Sequence, residues 1–247
     1  MHRFFVDKEQ IIDDKIEIIG PDVKHIKDVL RLRIDEDIEI SSEGFTYISK
    51  IESLEKSKII VGIIDKNKGS NEPPIDIILY QGLAKGSKMD VIIQKGTEVG
   101  IKSFYPLATS RSIVKINDIK KEQSKVERWN VIADGAAKQS KRDLVPKVES
   151  VISFNEMILL LKNEENIIVP YEDEKANTIK KDLQRIRGEK IHLIIGPEGG
   201  FEPSEIEKLK EIGASIVTLG PRILRTETAG LVASAIILYE LGDLGVI

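Results

Sequence analysis

The 247 residues combine 41% hydrophobic and 32% charged side chains with 5% aromatics and a net charge of -4, which excludes intrinsic disorder and a uniformly basic nucleic-acid binder. The absence of cysteine excludes disulfides, thiolate metal sites and a cysteine nucleophile, and His2, His25 and His192 lack metal-ligand spacing, so no metal is expected. No window approaches the ~18–20 apolar residues of a bilayer span, and Met1–Gln10 lacks the apolar run of a signal peptide; a cytoplasmic location away from membranes is expected.

In chain order, short alternating or β-branched runs come first: Ile16–Ile19, Ile38–Ile40, Thr46–Ile51 and Ile59–Ile64. Turn signals separate them, and one helical stretch covers Asp22–Leu30. This predicts a small, mostly β domain over residues 1–70. Asp65–Pro74 is polar, breaks the periodicity and ends in two prolines, which reads as a linker.

From residue 74 the pattern changes. Strand-like runs at Ile75–Tyr80, Ser103–Leu107, Asn166–Pro170, Ile191–Ile195 and Ser215–Leu219 alternate with predicted helices. These are Ser87–Glu98, Ile119–Lys138, Phe154–Lys162, Asn177–Arg187, Pro203–Glu211 and Glu227–Leu241. Strands this apolar suit a parallel sheet covered on both faces, so residues 74–247 are predicted to form an α/β layer fold.

Charge is distributed unevenly. Residues 82–147 carry 14 basic and 7 acidic side chains, a net of +7 inside an acidic protein. A local polyanion site is one reading and a solvated lysine-rich helix face the other.

Two loops stand out as candidates for chemistry. Ile191-His-Leu-Ile-Ile-Gly-Pro-Glu-Gly-Gly200 runs from a buried strand into a glycine-rich turn, and Pro203 with Glu205 then marks a helix start. Loops at the carboxyl ends of parallel strands are where such sheets hold ligands, and glycine lets the backbone approach closely. The run is neither GxGxxG nor a P-loop, so no dinucleotide or Walker site is predicted; a plain tight turn is the alternative. The second loop, Val217–Gly230, carries Arg222 and Arg225 beside Ile223 and Leu224. If buried, those arginines need carboxylate or phosphate partners. Thr226 reads as the N-cap of the following helix, with Glu227 and Thr228 in its first turn. Two consecutive strands that each end in a Gly-Pro loop make a paired ligand rim.

Gly196-Pro-Glu-Gly-Gly200 followed by Leu219-Gly-Pro-Arg-Ile-Leu-Arg-Thr-Glu-Thr-Ala229 resembles the cofactor-binding signature of the SPOUT methyltransferases. Within that superfamily the whole chain resembles the ribosomal RNA small subunit methyltransferase E family. The likeness extends to Arg3-Phe-Phe-Val6, to His25 with Val29-Leu-Arg-Leu-Arg33, to Gln81-Gly-Leu-Ala-Lys-Gly86, and to Lys88-Met-Asp90 with Gln94-Lys-Gly-Thr-Glu-Val-Gly100. It implies a trefoil-knotted α/β methyltransferase domain at 74–247 and a PUA-like domain at 1–70. It also implies a homodimer that uses S-adenosyl-L-methionine to methylate N3 of one uridine in the 16S ribosomal RNA of the small ribosomal subunit.

The resemblance puts the cofactor against Val169, Gly196, Pro197, Glu198, Gly199, Gly200, Leu219, Gly220, Ile223, Leu224, Arg225, Thr226 and Ala229. Methyl transfer to a ring nitrogen is an in-line displacement in which the N3 proton must leave and negative charge spreads onto flanking carbonyls. Arg225 is the candidate to stabilise that charge. Glu98 or Glu227 could take the proton, and the sequence does not choose between them. RNA contacts are expected from Arg3, His25, Arg31 and Arg33, and from Lys85, Lys88, Arg111, Lys138, Gln139, Lys141 and Arg142. Leu30-Arg-Leu-Arg33 also has the alternation of a half-buried strand.

Three positions depart from the family pattern: Lys138 stands where an acidic residue is usual, Lys141 where glycine is, and Gly96 where alanine is common. Methylation of another RNA acceptor, ribose or a different base, is the alternative activity. A PUA-linked RNA-binding assembly factor without activity is the alternative of another class.

Overall fold

The computed structural model describes residues 1–112 and 119–246. The chain divides into two units, Met1–Glu72 with Ala137–Val145, and Pro73–Ala136 with Pro146–Ile247.

The first unit contains β1 (Arg3–Phe5), β2 (Ile11–Ile12), β3 (Lys15–Ile19), the one-turn helix α1 (Pro21–Lys24), β4 (Asp37–Ser42), β5 (Phe45–Leu54) and β6 (Lys58–Lys68). Its sheet runs β1-β4-β5-β6-β3-β2, antiparallel except for the parallel β1–β4 pair. Alternate residues of the strands point inward, so Ile16 and Ile18, Ile38 and Ile40, and Ile59 and Val61 meet Phe4, Ile26 and Ile51 in one core.

One reading of this region is corrected. Asp65–Lys68, expected as linker, continues β6 because it pairs with Phe45–Ile48 and Lys66 lies over the Phe45 ring at 4.3 Å. Asp22–Leu30, expected as helical, is helical throughout, α1 passing without a break into a π-helix over His25–Leu30. That helix ends at Arg31 in the left-handed conformation (φ 54°), which takes Leu30-Arg-Leu-Arg33 out of strand geometry.

Arg3 and Arg142 are both buried, at 6% and 3% exposure. Arg3 bonds Asp143 at 2.7 Å, Glu39 at 3.1 Å and the carbonyls of Lys141 and Arg142. The Arg142 guanidinium grips Glu72 through two nitrogens. Their expected RNA contacts are therefore corrected: both are internal ion-pair residues, of the kind whose partner cannot be removed without leaving a buried charge. The departures near them are explained as well. Lys141 has φ 59°, a conformation that favours glycine, and its ammonium compensates by pairing with Glu39 at 2.8 Å. Burial works to raise the Glu39 carboxyl, but hydrogen bonds from Lys141 and Arg3 outweigh it and hold the group below its usual range. Lys138 pairs with Asp22 at 2.7 Å.

The second unit contains β7 (Asp76–Gly82), α2 (Lys88–Val99), β8 (Ser103–Ala108), α3 (Ile119–Ser140, whose residues from Ala137 on belong to the first unit), β9 (Lys147–Val148), β10 (Ile152–Ser153) and α4 (Phe154–Leu161). After these come β11 (Ile167–Pro170), α5 (Ile179–Leu183), β12 (Lys190–Ile195), α6 (Pro203–Glu211), β13 (Ser215–Val217) and α7 (Thr226–Leu241). The sheet order is β10-β8-β7-β12-β11-β13, with β9 on β8, and every pairing is parallel. Both faces are covered. Tyr80 and Ile194 pack with Phe154, Met157 and Leu161 of α4 and Ile206 and Leu209 of α6. Leu79 and Ile195 approach Gly230 of α7, whose buried Gly230, Ala233, Ser234, Ile237 and Leu238 form one stripe at helical spacing.

Asn177–Arg187, expected as helix, shortens to α5. Thr178 is its N-cap and accepts the Lys181 N–H, while Asn177 is drawn away to the Ile216 carbonyl at 3.0 Å. Arg187 takes the Gln184 and Ile186 carbonyls and closes the other end. His192 is a buried core histidine between the Tyr80 hydroxyl (3.3 Å) and Glu164 (3.1 Å), and burial pushes its pKa down.

Gly96 faces a wall: a Cβ there would sit 2.8 Å from both the Ile101 methyl and the Phe104 ring. Gly96→Ala should therefore destabilise, since overpacking of about 1–3 kcal/mol exceeds the ~1 kcal/mol gain in helix propensity. Thermal unfolding checks this, and an alanine variant melting at or above wild type contradicts it.

Candidate active site

Parallel pairing brings the carboxyl ends of β11, β12 and β13 to one edge, and the loops that leave them enclose a cavity of about 430 Å³. Pro170, Tyr171 and Glu172 line it from the first loop, Gly196, Pro197, Glu198, Gly200 and Phe201 from the second, and Thr218 to Thr226 from the third. Lys88 of α2 and Ala229 of α7 complete the wall.

The second loop is held from below. The β7–β12 register sets Gln81 beside Ile195, so that Gly82 lies against the Gly196–Pro197 peptide; a Cβ on Gly82 would be 2.3 Å from the Pro197 nitrogen. Thr226 is the clamp. Its hydroxyl donates to the Gly196 carbonyl at 2.6 Å and accepts the Gln81 side-chain N–H at 2.8 Å, and both side chains are buried. The expected N-cap role of Thr226 is corrected accordingly. Arg225 occupies the N-cap position with extended backbone, and its carbonyl accepts the N–H groups of Thr228 and Ala229 at 2.8 Å.

Gly200 has φ 68°, a conformation that favours glycine, and its Cβ would lie 2.8 Å from an oxygen of the exposed Glu172 side chain. Glu198 accepts the Lys85 backbone N–H and the Lys88 ammonium, both at 3.0 Å. Burial works to raise its pKa, but those bonds prevail and the carboxyl lies below its usual range. Lys88 also reaches Oε2 of Glu227 at 3.6 Å, and that oxygen is buried without a hydrogen bond. At the mouth, Arg222, Ile223 and Arg225 are exposed, and neither arginine has an ion-pair partner among the described residues.

Residues 71–238 match the RNA methyltransferase domain family and residues 18–64 the RNA methyltransferase PUA domain family. The ribosomal RNA small subunit methyltransferase E of Bacillus subtilis is 37% identical, covering 97% of each chain. That of Aquifex aeolicus is 33% identical over 93% of this chain and 95% of its own. A crystal structure of the Neisseria gonorrhoeae ribosomal RNA small subunit methyltransferase E bound to S-adenosyl methionine superposes with a TM-score of 0.85 at 30% identity, covering 98% of this chain and 99% of that one.

The chain belongs to the ribosomal RNA small subunit methyltransferase E family. It shares the family's SPOUT methyltransferase fold on a parallel sheet and its PUA-like N-terminal domain. Among the described residues no helix is long and apolar enough to cross a membrane, and no cluster of metal-ligating side chains occurs.

Of the cofactor residues that the family resemblance implied, Gly196, Pro197, Glu198, Gly200, Leu219, Gly220, Ile223, Leu224, Arg225, Thr226 and Ala229 line the cavity. Val169 is buried one residue behind Pro170, and Gly199 turns toward Arg111. Glu98 is not at the cavity: it pairs with Lys95 on the surface of α2, whereas Glu227 is linked to the lining through Lys88. Among the expected RNA residues, His25, Arg31, Arg33, Lys85 and Gln139 are exposed, and Arg111 is engaged by Glu202 and the Gly199 carbonyl. Sequence reasoning missed Tyr171, Glu172, Phe201 and Thr218 as lining residues. Their one signal was position, immediately after a buried strand or a glycine pair.

Proposed function

We propose that this chain methylates N3 of a uridine in the 16S ribosomal RNA of the small subunit with S-adenosyl-L-methionine as donor, acting as a cytoplasmic homodimer. The observation that carries the reading is the strand-end cavity with the unpaired Arg222 and Arg225 at its mouth, in a chain of this family. An apolar and backbone-rich interior under a cationic rim suits a buried adenosine facing a polyanion.

The residues present fit such a cofactor. A Cβ at Gly200 would press on the cavity-lining Glu172 carboxylate, the loop backbones offer polar groups at close range, and Leu219, Leu224 and Ala229 supply apolar surface. Glu172 is placed to accept hydrogen bonds from hydroxyls. Bound there, the sulfonium supplies an electrophilic methyl group. The chain's own residues do the rest. The loop clamp at Thr226 fixes the approach, Arg225 stabilises negative charge that develops on the uridine carbonyls, and the Glu227 carboxylate, whose Oε2 lies 3.6 Å from the Lys88 ammonium, takes the N3 proton. Glu98 is not assigned this role.

Incubation of small-subunit RNA, naked and in unmethylated subunits, with isotope-labelled S-adenosylmethionine should give labelled 3-methyluridine on nucleoside mass spectrometry. Labelled nucleoside of another kind sinks the proposed acceptor. Arg225→Ala should lower kcat by about a hundredfold, the scale of a lost charge-stabilising donor, with melting temperature retained. Unchanged turnover removes Arg225 from the mechanism.

A further inference from the structure

Consecutive residues of α2 line different cavities, Lys88 the strand-end cavity and Met89 a second one of about 280 Å³. The floor of the second cavity is Leu83, Ala84, Met89 and Trp129, none more than 5% exposed. Its rim is cationic. Lys125, Arg128 and Trp129 stand at i, i+3 and i+4 on α3 and so share one face. Asp90 of α2 fixes the far end of that face: it pairs with the Arg128 guanidinium and accepts the Trp129 ring N–H at 3.2 Å. Arg128 is nonetheless 58% exposed at its side chain, so its guanidinium is paired with Asp90 and still open to solvent. Lys125 is exposed and has no ion-pair partner among the described residues. Gly86 has open space where a side chain would be, so the mouth is unobstructed.

An apolar floor beneath a fixed guanidinium and a free ammonium is the chemistry that receives a splayed-out base and its phosphate, as single-stranded RNA is recognised. We propose that this cavity holds one unpaired nucleotide of the RNA substrate, adjacent to the target. The base lies against Leu83, Met89 and Trp129 below the Arg128 plane, and the phosphate meets Lys125. The proposal rests on the methyltransferase reading above and adds a site for a flanking nucleotide, joined to the strand-end cavity through the first turn of α2.

The test uses a model RNA containing the target uridine, intact or with an abasic residue beside the target, and reads both RNA affinity by fluorescence anisotropy and methyl transfer. Lys125→Glu should raise the RNA Kd and KM about tenfold and reduce the salt slope by about one, with kcat at saturating RNA and cofactor affinity unchanged. Ala84→Leu, which fills the floor, should bind intact and abasic RNA alike, while wild type loses about tenfold on the abasic one. A Lys125→Glu protein with wild-type RNA affinity overturns the proposal, as does a wild type indifferent to every abasic position flanking the target. A wild type that binds RNA but transfers no methyl group defeats the proposed function instead, and the affinity arms still decide the pocket.

Discussion

Gly82→Ala should cost about 3 kcal/mol of stability and lower the melting temperature by roughly 6–12 °C, although alanine is ordinarily the better strand residue. The sign follows from the neighbours. A Cβ at Gly82 would meet the Pro197 nitrogen at 2.3 Å and the Gly196 carbonyl carbon and Pro197 Cδ at 2.7 Å. Two of those atoms are backbone and the third belongs to a proline ring, so none can rotate away; the β7 end and the second loop must move apart. That loop lines the cavity, so cofactor affinity should fall with stability, by about tenfold or more at ~1.4 kcal/mol per decade. Thermal unfolding and calorimetric titration with S-adenosylmethionine measure both. An alanine variant as stable as wild type would mean that the close approach is not made, and one destabilised but with full affinity would mean that the strand end does not hold the loop in its binding shape.

The elements of this chain that could be read in advance are those whose own pattern suffices. The apolar runs of β7, β11 and β12 announce strands covered on both faces, and Pro203 with Glu205 announces the start of α6. Elements of two or three residues, such as β1, β2, β9 and β10, carry no period to detect and form only because a neighbouring strand supplies the other half of the ladder. The polar end of β6 was hidden for the same reason, since its partner Phe45–Ile48 and the Lys66–Phe45 contact lie some twenty residues away in sequence. The basic residues show the same limit more sharply. Arg3 and Arg142 look like cations seeking a polyanion until Glu39, Asp143 and Glu72 are seen around them, whereas Arg222 and Arg225 have the same composition and no such neighbours. Sequence shows which side chains are charged; only the fold shows whose charge is already answered. In the cavity, glycines were legible because backbone approach needs them, but Glu172 and Phe201 have no distinguishing residue type and depend on where the strand stops.

Thr226→Val should raise the cofactor Kd about tenfold and lower stability by about 3 kcal/mol, while Thr226→Ser should remain near wild type. Valine keeps the shape and removes only the hydroxyl, which stands at the centre of a chain from the Gln81 amide through Thr226 to the Gly196 carbonyl. Its loss leaves a buried donor and a part-buried acceptor unanswered, at ~1–3 kcal/mol each at full burial. The Gln81 amide nitrogen then keeps only its bond to the Gly82 carbonyl at 3.1 Å, and its second N–H is left without an acceptor. Because the chain joins the end of β7, the start of α7 and the second loop, the loss falls on the alignment of all three, and the cavity-lining Gly196 transmits part of it to the ligand. An ordinary N-cap would behave differently: valine there would fray the first turn of α7 with little change at Gly196. Calorimetric titration with S-adenosylmethionine and thermal unfolding of both variants separate the two roles. A valine variant with wild-type affinity, or a serine variant as impaired as valine, would remove the hydroxyl from its place as the clamp.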